Sequence, residues 1–436
     1  MRPSVQKQLF QYIDEHLLSY LNRWQEFATL LGQNSNSAKA TTLLLEQLQC
    51  RGVSAVALKR ERPFLFGELN TGAPRTLLFY HYYNPESCDL QYFASIATCL
   101  AALEAYQFLP GSLPVNLLWL LDGLSETGHW NGDDFVTRDY KQLLKQADGC
   151  LLYGKYSIGQ TNTRLPLLAL GTKGLLCVEL ETSTAPDALP SMYGAVVPNA
   201  LWRLLWALNS VKSACEEILI EGFYDALFPA EDETIEQLRT LPDSASWLVQ
   251  QCKIAQPLLG LQGFQLHYAQ LLTPTCTINE ISSMAPPAAP NFHTTIPGTA
   301  RARLDFHLVP NQHPDDIFVK LQRHLQTQSF DDIKVRKLYA TCPRYISITD
   351  SFTRKVIRAT TAAYGHAPSI LPLTTNSYSV DPLQQLLHLP VIITLPDYSS
   401  SGDHISDMRY RESFAASIKQ VVMTIEELAH GTDPTE

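Results

Sequence analysis

Apolar residues recur at helical spacing at the start of the chain. Between residues 4 and 31 they fall near every third or fourth position, as at Leu9, Ile13 and Leu17. The run ATTLLLEQLQCRG repeats the pattern and ends with Gly52. An apolar stripe of this period predicts an amphipathic helix, and a glycine after the last periodic residue is a common helix end. The pattern therefore predicts two helices before the first strand.

Short apolar runs then alternate with a helical pattern. The runs SAVALKR, TLLFYHYYN, VNLLWLLDG and CLLYG are typical of buried strands, and YFASIATCLAALEAYQFL is typical of a long helix. Strands that alternate with helices favour a mostly parallel sheet, whose ligands gather at the carboxyl ends of the strands. His81, Glu126 and Tyr153 come at or just after such ends.

The pattern changes after about residue 180. PNALWRLLWALNSV predicts a helix, and CTINEISS and TARARLDFHLVP alternate like half-exposed strands on either side of the Pro-rich MAPPAAPNFHTTIPG. Strand and helix patterns resume at SFTRKVIRATTAAYG and PVIITLP. We therefore predict an α/β domain in two parts, residues 1–180 and 331–436, interrupted by an inserted α+β domain over residues 181–330.

Composition narrows the classes of partner. A chain of 436 residues that is 45% hydrophobic and 17% charged has enough apolar material for a large core. The net charge of −10 and the lack of a basic run argue against a nucleic-acid partner. The nine cysteines contain no CxxC pair, which favours a reducing, cytoplasmic location. Since no segment approaches the roughly 20 apolar residues of a spanning helix, we expect no membrane insertion and an unprocessed, soluble protein.

Five stretches resemble a known family. They are LLFYHYYN, LPVNLLWLLDGLSETG, MYGAVVPNALWRLLWAL, ILIEGFYDALFP and IPGTARARLDFHLVPNQHP. Together they are similar to the co-catalytic zinc peptidases and deacylases, which include carnosine dipeptidase, glutamate carboxypeptidase, aminoacylase and succinyl-diaminopimelate desuccinylase. The resemblance implies a zinc-binding α/β domain, an inserted lid domain that pairs two chains into a homodimer, and hydrolysis of dipeptides or N-acyl amino acids.

The resemblance also implies positions for the metal ligands. His81 matches the first ligand histidine, Glu126 a ligand glutamate and His404 the last ligand histidine. Gln91 stands where the family has the bridging aspartate, and Gly154 where it has a further acidic ligand. Two histidines and one carboxylate suit one zinc or other divalent ion with an open position, whereas the dinuclear centre lacks its bridge.

The positions implied for catalysis and substrate binding are altered as well. Ser125 replaces the general base, and a serine hydroxyl without a base of its own does not take a proton from water near neutral pH. Tyr83 replaces the aspartate that orients the first ligand histidine. In the lid, His307 replaces an arginine that holds a substrate carboxylate, and Asn376 and Ser377 lie in the loop that corresponds to the family's Gly-Gly-Ser segment.

Two functions stay open at this point. The chain is either a divergent metallopeptidase-like hydrolase of small amides with at most one metal ion, or a non-catalytic descendant that keeps the scaffold for ligand binding or dimerisation. Chemistry repurposed within the same pocket is a third reading, since the site and not the fold decides the reaction. Each surviving residue also has a structural interpretation, such as His81 as a histidine that closes a strand. In every case we expect the ligand to be a small amide or an amino-acid-like molecule.

Overall fold

The computed structural model describes residues 3–32, 37–58, 63–83, 90–108, 113–123, 140–154, 166–227, 232–283, 294–374, 383, 388–396 and 407–431. Its helices are α1 Pro3–Gly32, α2 Ser37–Gln49, α3 Leu90–Phe108, α4 Lys141–Leu144, α5 Ala200–Val211, α6 Asp232–Thr240, α7 Ala245–Cys252, α8 Gly263–Leu272, α9 Pro314–Thr327, α10 Ser351–Tyr364 and α11 Met408–His430. Its strands are β1 Ser54–Leu58, β2 Phe64–Leu69, β3 Thr76–Tyr83, β4 Asn116–Gly123, β5 Gly149–Tyr153, β6 Leu167–Ala169, β7 Gly171–Thr172, β8 Gly174–Ser183, β9 Leu189–Pro190, β10 Thr275–Ser283, β11 Thr295–Ile296, β12 Thr299–Leu308, β13 Lys334–Thr341, β14 Arg344–Tyr345, β15 Ser369–Leu371 and β16 Val391–Leu395.

The larger sheet has eight strands in the order β1-β2-β4-β3-β5-β16-β6-β15. Strands β4, β3, β5 and β16 are parallel neighbours, whereas β1 and β2 add an antiparallel edge and β6 runs antiparallel to β16. Every residue of β3 and β5 is buried, which explains their continuous apolar runs, because a parallel strand is covered on both faces. The predicted α/β class with a mostly parallel sheet is confirmed.

Helices cover both faces of this sheet. On one face, apolar side chains of α1, α2, α3, α10 and α11 pack with alternate residues of β3, including Phe79 and Tyr83. On the other face, Tyr80 and Tyr82 pack with apolar side chains of α4, α6 and α8. Because successive side chains of a strand point to opposite faces, His81 belongs to the face that α3 covers.

The second sheet is antiparallel, in the order β10-β12-β8-β13. Helices α5 and α9 pack on one face through alternate buried residues of β8, namely Leu176, Val178 and Leu180. The other face carries charged pairs, such as Glu179 with Arg303 and Arg336. This is the antiparallel α+β arrangement predicted from the alternating patterns, and its strands run from residue 174 to residue 341. The domain limits of 181 and 330 stay a prediction.

Part of the inserted segment packs on the larger sheet. Leu238 of α6 and Leu271 and Leu272 of α8 join the apolar cluster on the face of Tyr80. The sequence analysis did not predict these helices. Within the described ranges, no helix is both long and apolar enough to cross a membrane.

Candidate metal and substrate site

The parallel strands β3, β4, β5 and β16 end at the same edge of the larger sheet. Their last residues are Tyr83, Gly123, Tyr153 and Leu395. Ligands of open α/β sheets bind outside such carboxyl ends. His81 lies close to this edge, because it is opposite Tyr153, the last residue of β5.

His81 is held by contacts on two sides. Its side chain is completely buried, and its Nδ1 lies 3.0 Å from Ser95 Oγ on α3. Its ring stacks on Tyr153 with the centroids 4.7 Å apart and an angle of 11° between the planes. Its Nε2 is buried and has no hydrogen-bond partner among the residues that the structure describes. The imidazole is therefore held by a hydrogen bond at Nδ1 and by stacking on one ring face. Of its two nitrogens, only Nε2 is unsatisfied by the described residues.

Burial also sets the protonation of this imidazole. It lowers the pKa of His81 to about 3, because a charged ring is poorly solvated there. At neutral pH the ring is uncharged, so one nitrogen carries a proton and the other a lone pair. The neutral imidazole is the form that binds metal ions.

Tyr83 is turned to a different part of the core. Its hydroxyl donates to the Pro63 carbonyl oxygen at 3.4 Å and lies 3.3 Å from Thr41 Oγ1 on α2. Burial raises the pKa of Tyr83, so the phenol stays protonated. Among the described contacts no hydrogen bond joins it to His81, whose Nδ1 is engaged by Ser95 instead. The residue at the position of the family's aspartate thus takes part in packing.

Gly154 follows the last residue of β5. Its backbone N–H donates to the Thr394 carbonyl oxygen at 3.0 Å, and it has no side chain to offer a metal ion. The nearest earlier acid, Asp148, precedes β5 and pairs with Arg75 at 2.7 Å and with the backbone N–H of Thr76 at 2.8 Å. Asp148 is therefore at the amino end of the strand, and it does not replace the missing acidic ligand.

Several predicted site residues lie outside the described part of the chain. These are Ser125, Glu126, Asn376, Ser377 and His404, together with the side chain of Gln91, whose backbone belongs to the first turn of α3. Their roles stay predictions. Among the residues that the structure does describe, no three His, Cys, Asp or Glu side chains form a group suited to a metal ion.

His307 lies on β12, opposite Thr275 of β10 and Leu175 of β8. Lys173 is only 3% exposed and donates to the Thr273 carbonyl oxygen at 2.7 Å. Burial, followed by the nearby Lys173 charge, lowers the pKa of His307. Burial lowers the pKa of Lys173 to about 8. The sequence pattern does not single out Lys173, because a lysine in a short polar run is usually exposed.

A second polar cluster occupies the opposite face of the same edge. Asp122, at the end of β4, is buried and accepts a hydrogen bond of 3.0 Å from the Tyr80 hydroxyl. Burial, and then the Asp122 charge, raise the pKa of Tyr80. Since Asp122 is opposite Tyr82 in the register, it faces away from His81. It is an unpredicted acid near the edge, but it does not share a face with the candidate ligand.

Comparisons with known proteins agree with this architecture. Residues 170–332 match the family model of a peptidase dimerisation domain. The human Beta-Ala-His dipeptidase is 20% identical over 309 residues, which are 70% of this chain and 60% of that protein. The Cys-Gly metallodipeptidase dug1 of Schizosaccharomyces pombe is 22% identical over 362 residues, covering 76% of this chain and 70% of that protein. These findings support the resemblance of the chain to M20 metallopeptidases.

Solved M20 structures share the fold over nearly the whole chain. The M20 family metallo-carboxypeptidase Sso-CP2 from Sulfolobus solfataricus has a TM-score of 0.79 at 22% identity, covering 94% of this chain and 99% of that chain. Human carnosine dipeptidase 1 has a TM-score of 0.75 at 17% identity, covering 97% and 99%. The predicted resemblance to this family and its arrangement of a catalytic-type domain with an inserted domain are therefore confirmed. The chain spans 60% of the length of the human dipeptidase that it matches in sequence and 55% of the rat one.

Proposed function

We propose that this protein is a peptidase-like member of the M20 family that binds a small amide or amino-acid-like ligand beside a single divalent metal ion. The proposed ligands of the metal are His81, Glu126 and His404. The proposal does not include the two-zinc hydrolysis that the family resemblance implies. When bound, such an ion would supply a Lewis acid for an amide carbonyl.

The observation that carries the proposal is the environment of His81. Its Nε2 is buried at the carboxyl edge and has no partner within the described part of the chain, while Nδ1 is already engaged by Ser95. A neutral imidazole with one nitrogen held and the other unsatisfied is the form in which histidine binds metals in proteins. The chemistry of His81 therefore fits one divalent ion.

Three other positions argue against a second ion. Gly154 has no side chain, and the hydroxyl of Tyr83 is bonded to Pro63 and Thr41. A bridged pair of dications also needs a carboxylate between them, and the residue at that position, Gln91, is a neutral amide. The donor set of this chain therefore does not fit two zinc ions.

The ligand class rests on the names of the relatives. They are a Beta-Ala-His dipeptidase and Cys-Gly metallodipeptidases, whose names specify small peptides. Lys173 directly precedes β8 and is close enough for its charge to lower the pKa of His307 on β12. Nitrogen donors so placed suit the acceptor oxygens of a peptide or carboxylate. The alternative is a non-catalytic protein that binds the same class of ligand without a metal ion.

The test is zinc binding measured by calorimetry and by elemental analysis after dialysis. We expect one equivalent of zinc in the unaltered protein and at least about a 10-fold weaker affinity in His81→Gln, as for loss of a ligand or its support. His366→Gln is the matched control, because His366 follows α10 and bonds only to the carbonyl of Ala367 in the described contacts. Two equivalents would overturn the single-ion proposal. No zinc binding, with a dipeptide still bound, would replace it by the non-catalytic alternative.

We also propose a homodimer formed through the inserted domain. Trp202 and Trp206 of α5 are 56% and 57% exposed and stack on each other with centroids 6.1 Å apart. Helix α5 packs on the face of the second sheet to which Leu304 and Ala302 of β12 belong. The register places Ile278 and Ile281 of the edge strand β10 on the same face, and both are exposed. Exposed aromatic pairs next to an open strand edge are typical of a surface that a second chain covers.

A further inference from the structure

We propose that Ser95 is a positioning residue. Its hydroxyl oxygen accepts a hydrogen bond from the Nδ1–H group of His81, which leaves the lone pair on Nε2, facing the metal position. This inference deepens the proposed single-metal site and takes its functional meaning from it. Its geometric part stands on the described residues alone. No feature of the sequence assigns a role to Ser95, which lies in the apolar run of α3.

The 3.0 Å contact between His81 Nδ1 and Ser95 Oγ allows two proton arrangements. In the first arrangement, Nδ1 carries the ring proton and donates a hydrogen bond to Ser95 Oγ. In the second, the Ser95 hydroxyl donates to Nδ1, and the ring proton is on Nε2. In the second arrangement the buried Nε2–H is a donor without an acceptor. In the first arrangement the unsatisfied atom is an acceptor lone pair.

The helix favours the first arrangement. A hydroxyl in the interior of a helix commonly donates its proton to the carbonyl of the preceding turn, and Thr98, one turn further along α3, donates to the Ala94 carbonyl oxygen at 2.8 Å. If the Ser95 hydroxyl donates its proton to a backbone carbonyl in the same way, its oxygen can only accept a hydrogen bond from the His81 ring. Buried N–H groups without partners are also rarer than buried acceptors with spare lone pairs.

Other neighbours of His81 do not take this role. The Tyr153 hydroxyl meets Cys99 Sγ at 3.4 Å, and its ring covers the imidazole face rather than an edge. Tyr83 is bonded to Pro63 and Thr41. Ser95 is therefore the partner that the described contacts give to Nδ1. It fills from α3 the supporting role that a carboxylate or carbonyl usually has behind a ligand histidine.

The decisive experiment is nitrogen NMR of the metal-free protein labelled with ¹⁵N in histidine. The shifts of the two ring nitrogens report which one carries the proton, and the His81 signals are assigned by their absence in His81→Gln. We expect a protonated Nδ1 and an unprotonated Nε2 in the unaltered protein. We expect Ser95→Ala to lose this preference and Ser95→Thr, which keeps the hydroxyl, to retain it.

Thr98→Ala is the matched control, because it removes a buried hydroxyl from the same helix without touching His81. A protonated Nε2 in the unaltered protein would overturn the proposal, and so would an unchanged tautomer in folded Ser95→Ala. Since the NMR measurement is made on the metal-free protein, it tests the role of Ser95 even if the proposed single-metal site is disproved. A separate zinc titration should show about a 10- to 100-fold weaker affinity for Ser95→Ala, the usual effect of losing a supporting partner. An equal zinc affinity, with the tautomer changed, would remove the link to metal binding.

Discussion

Replacement of Lys173 by methionine should change how the stability of the protein depends on pH. Lys173 is 3% exposed, and its ammonium group donates to the Thr273 carbonyl oxygen. It has no carboxylate partner among the ion pairs of the described residues. A buried ammonium group without a counter-charge loses more solvation than one carbonyl returns, and burial accordingly lowers the pKa of Lys173 from 10.5 to about 8.

The size of the effect follows from this difference in pKa. Below about pH 8 both the folded and the unfolded chain carry the proton, so the cost of the buried charge is fully present. Between about pH 8 and 10.5 the folded chain releases the proton while the unfolded chain keeps it, and stability therefore rises with pH. At about 1.4 kcal/mol per pKa unit, the rise amounts to about 3 kcal/mol and ends near the ordinary pKa of lysine.

Urea unfolding at about pH 7, 8, 9 and 10 measures this contribution as a difference between variants. The unaltered protein should gain stability relative to Lys173→Met across the alkaline part of this range. Lys212→Met is the matched control, because Lys212 donates to the Cys276 carbonyl oxygen but also pairs with Glu216. Parallel pH profiles for the unaltered protein and Lys173→Met would refute the reasoning, as would a profile of Lys212→Met that differs from the unaltered protein in the same way.

Three other outcomes are expected. Trp206→Glu should shift the protein from dimer to monomer in light scattering, because a charge would enter the tryptophan pair on α5. Tyr106→Phe should lower the free energy of unfolding by about 1–3 kcal/mol, since buried Glu426 loses the donor that lies 2.8 Å from its Oε1. The double variant Gln91→Asp with Ser125→Glu should still show no zinc-dependent hydrolysis of a β-alanyl-histidine dipeptide, because the acidic ligand position at Gly154 still has no side chain.

The first two of these outcomes each have a control variant. Val319→Glu places a charge on an exposed apolar position of α9, which packs on the same face but over β8 and β13, away from the edge strand β10, and should leave the dimer intact. Tyr364→Phe removes a hydroxyl that meets Ser417 rather than a buried carboxylate, so it should cost less than Tyr106→Phe. Zinc-dependent turnover in the double variant would reveal a dormant hydrolytic site. A monomeric unaltered protein would contradict the proposed dimer.

The strands and helices that lie in the core were predictable because buried positions give them a regular spacing of apolar residues. Strands β3, β4 and β5 are buried on both faces and appear as unbroken apolar runs. The long helices at the two ends of the chain carry apolar stripes that face the sheet. In these segments local pattern and tertiary packing demand the same residues, so the sequence alone suffices.

Other elements were missed because their environment is set by distant parts of the chain. Strand β2 contains Gly67, which a strand pattern does not favour, yet the glycine fits because a Cβ there would meet Val53 Cγ1 at 3.0 Å. Helix α6 has a largely polar sequence and buries Thr234 and Leu238. Which sheet such a helix covers depends on contacts far away in sequence, and these have no local signal.

The site was predictable in type but not in its supporting contacts. His81 could be placed at a strand end, and its burial, its stacking on Tyr153 and its bond to Ser95 required the structure. The only signal for Ser95 was a hydroxyl within an apolar helix, and such residues often bond to their own backbone. Lys173 gave no signal, because its burial results from packing near α8.

The unsatisfied nitrogen of His81 bears on whether the metal site has been retained or lost. A buried acceptor or donor without a partner costs about 1–3 kcal/mol, and a phenylalanine would fill much of the same space beside Tyr153 without that cost. At Tyr83 the chain carries such a replacement: an aromatic residue packs in the core and its hydroxyl finds Pro63 and Thr41. The two positions lie on the same strand and the same face, so packing alone would favour an aromatic residue at both. An imidazole at position 81, held by Ser95 and with Nε2 unsatisfied by any described residue, is what the proposed role of His81 as a metal ligand predicts.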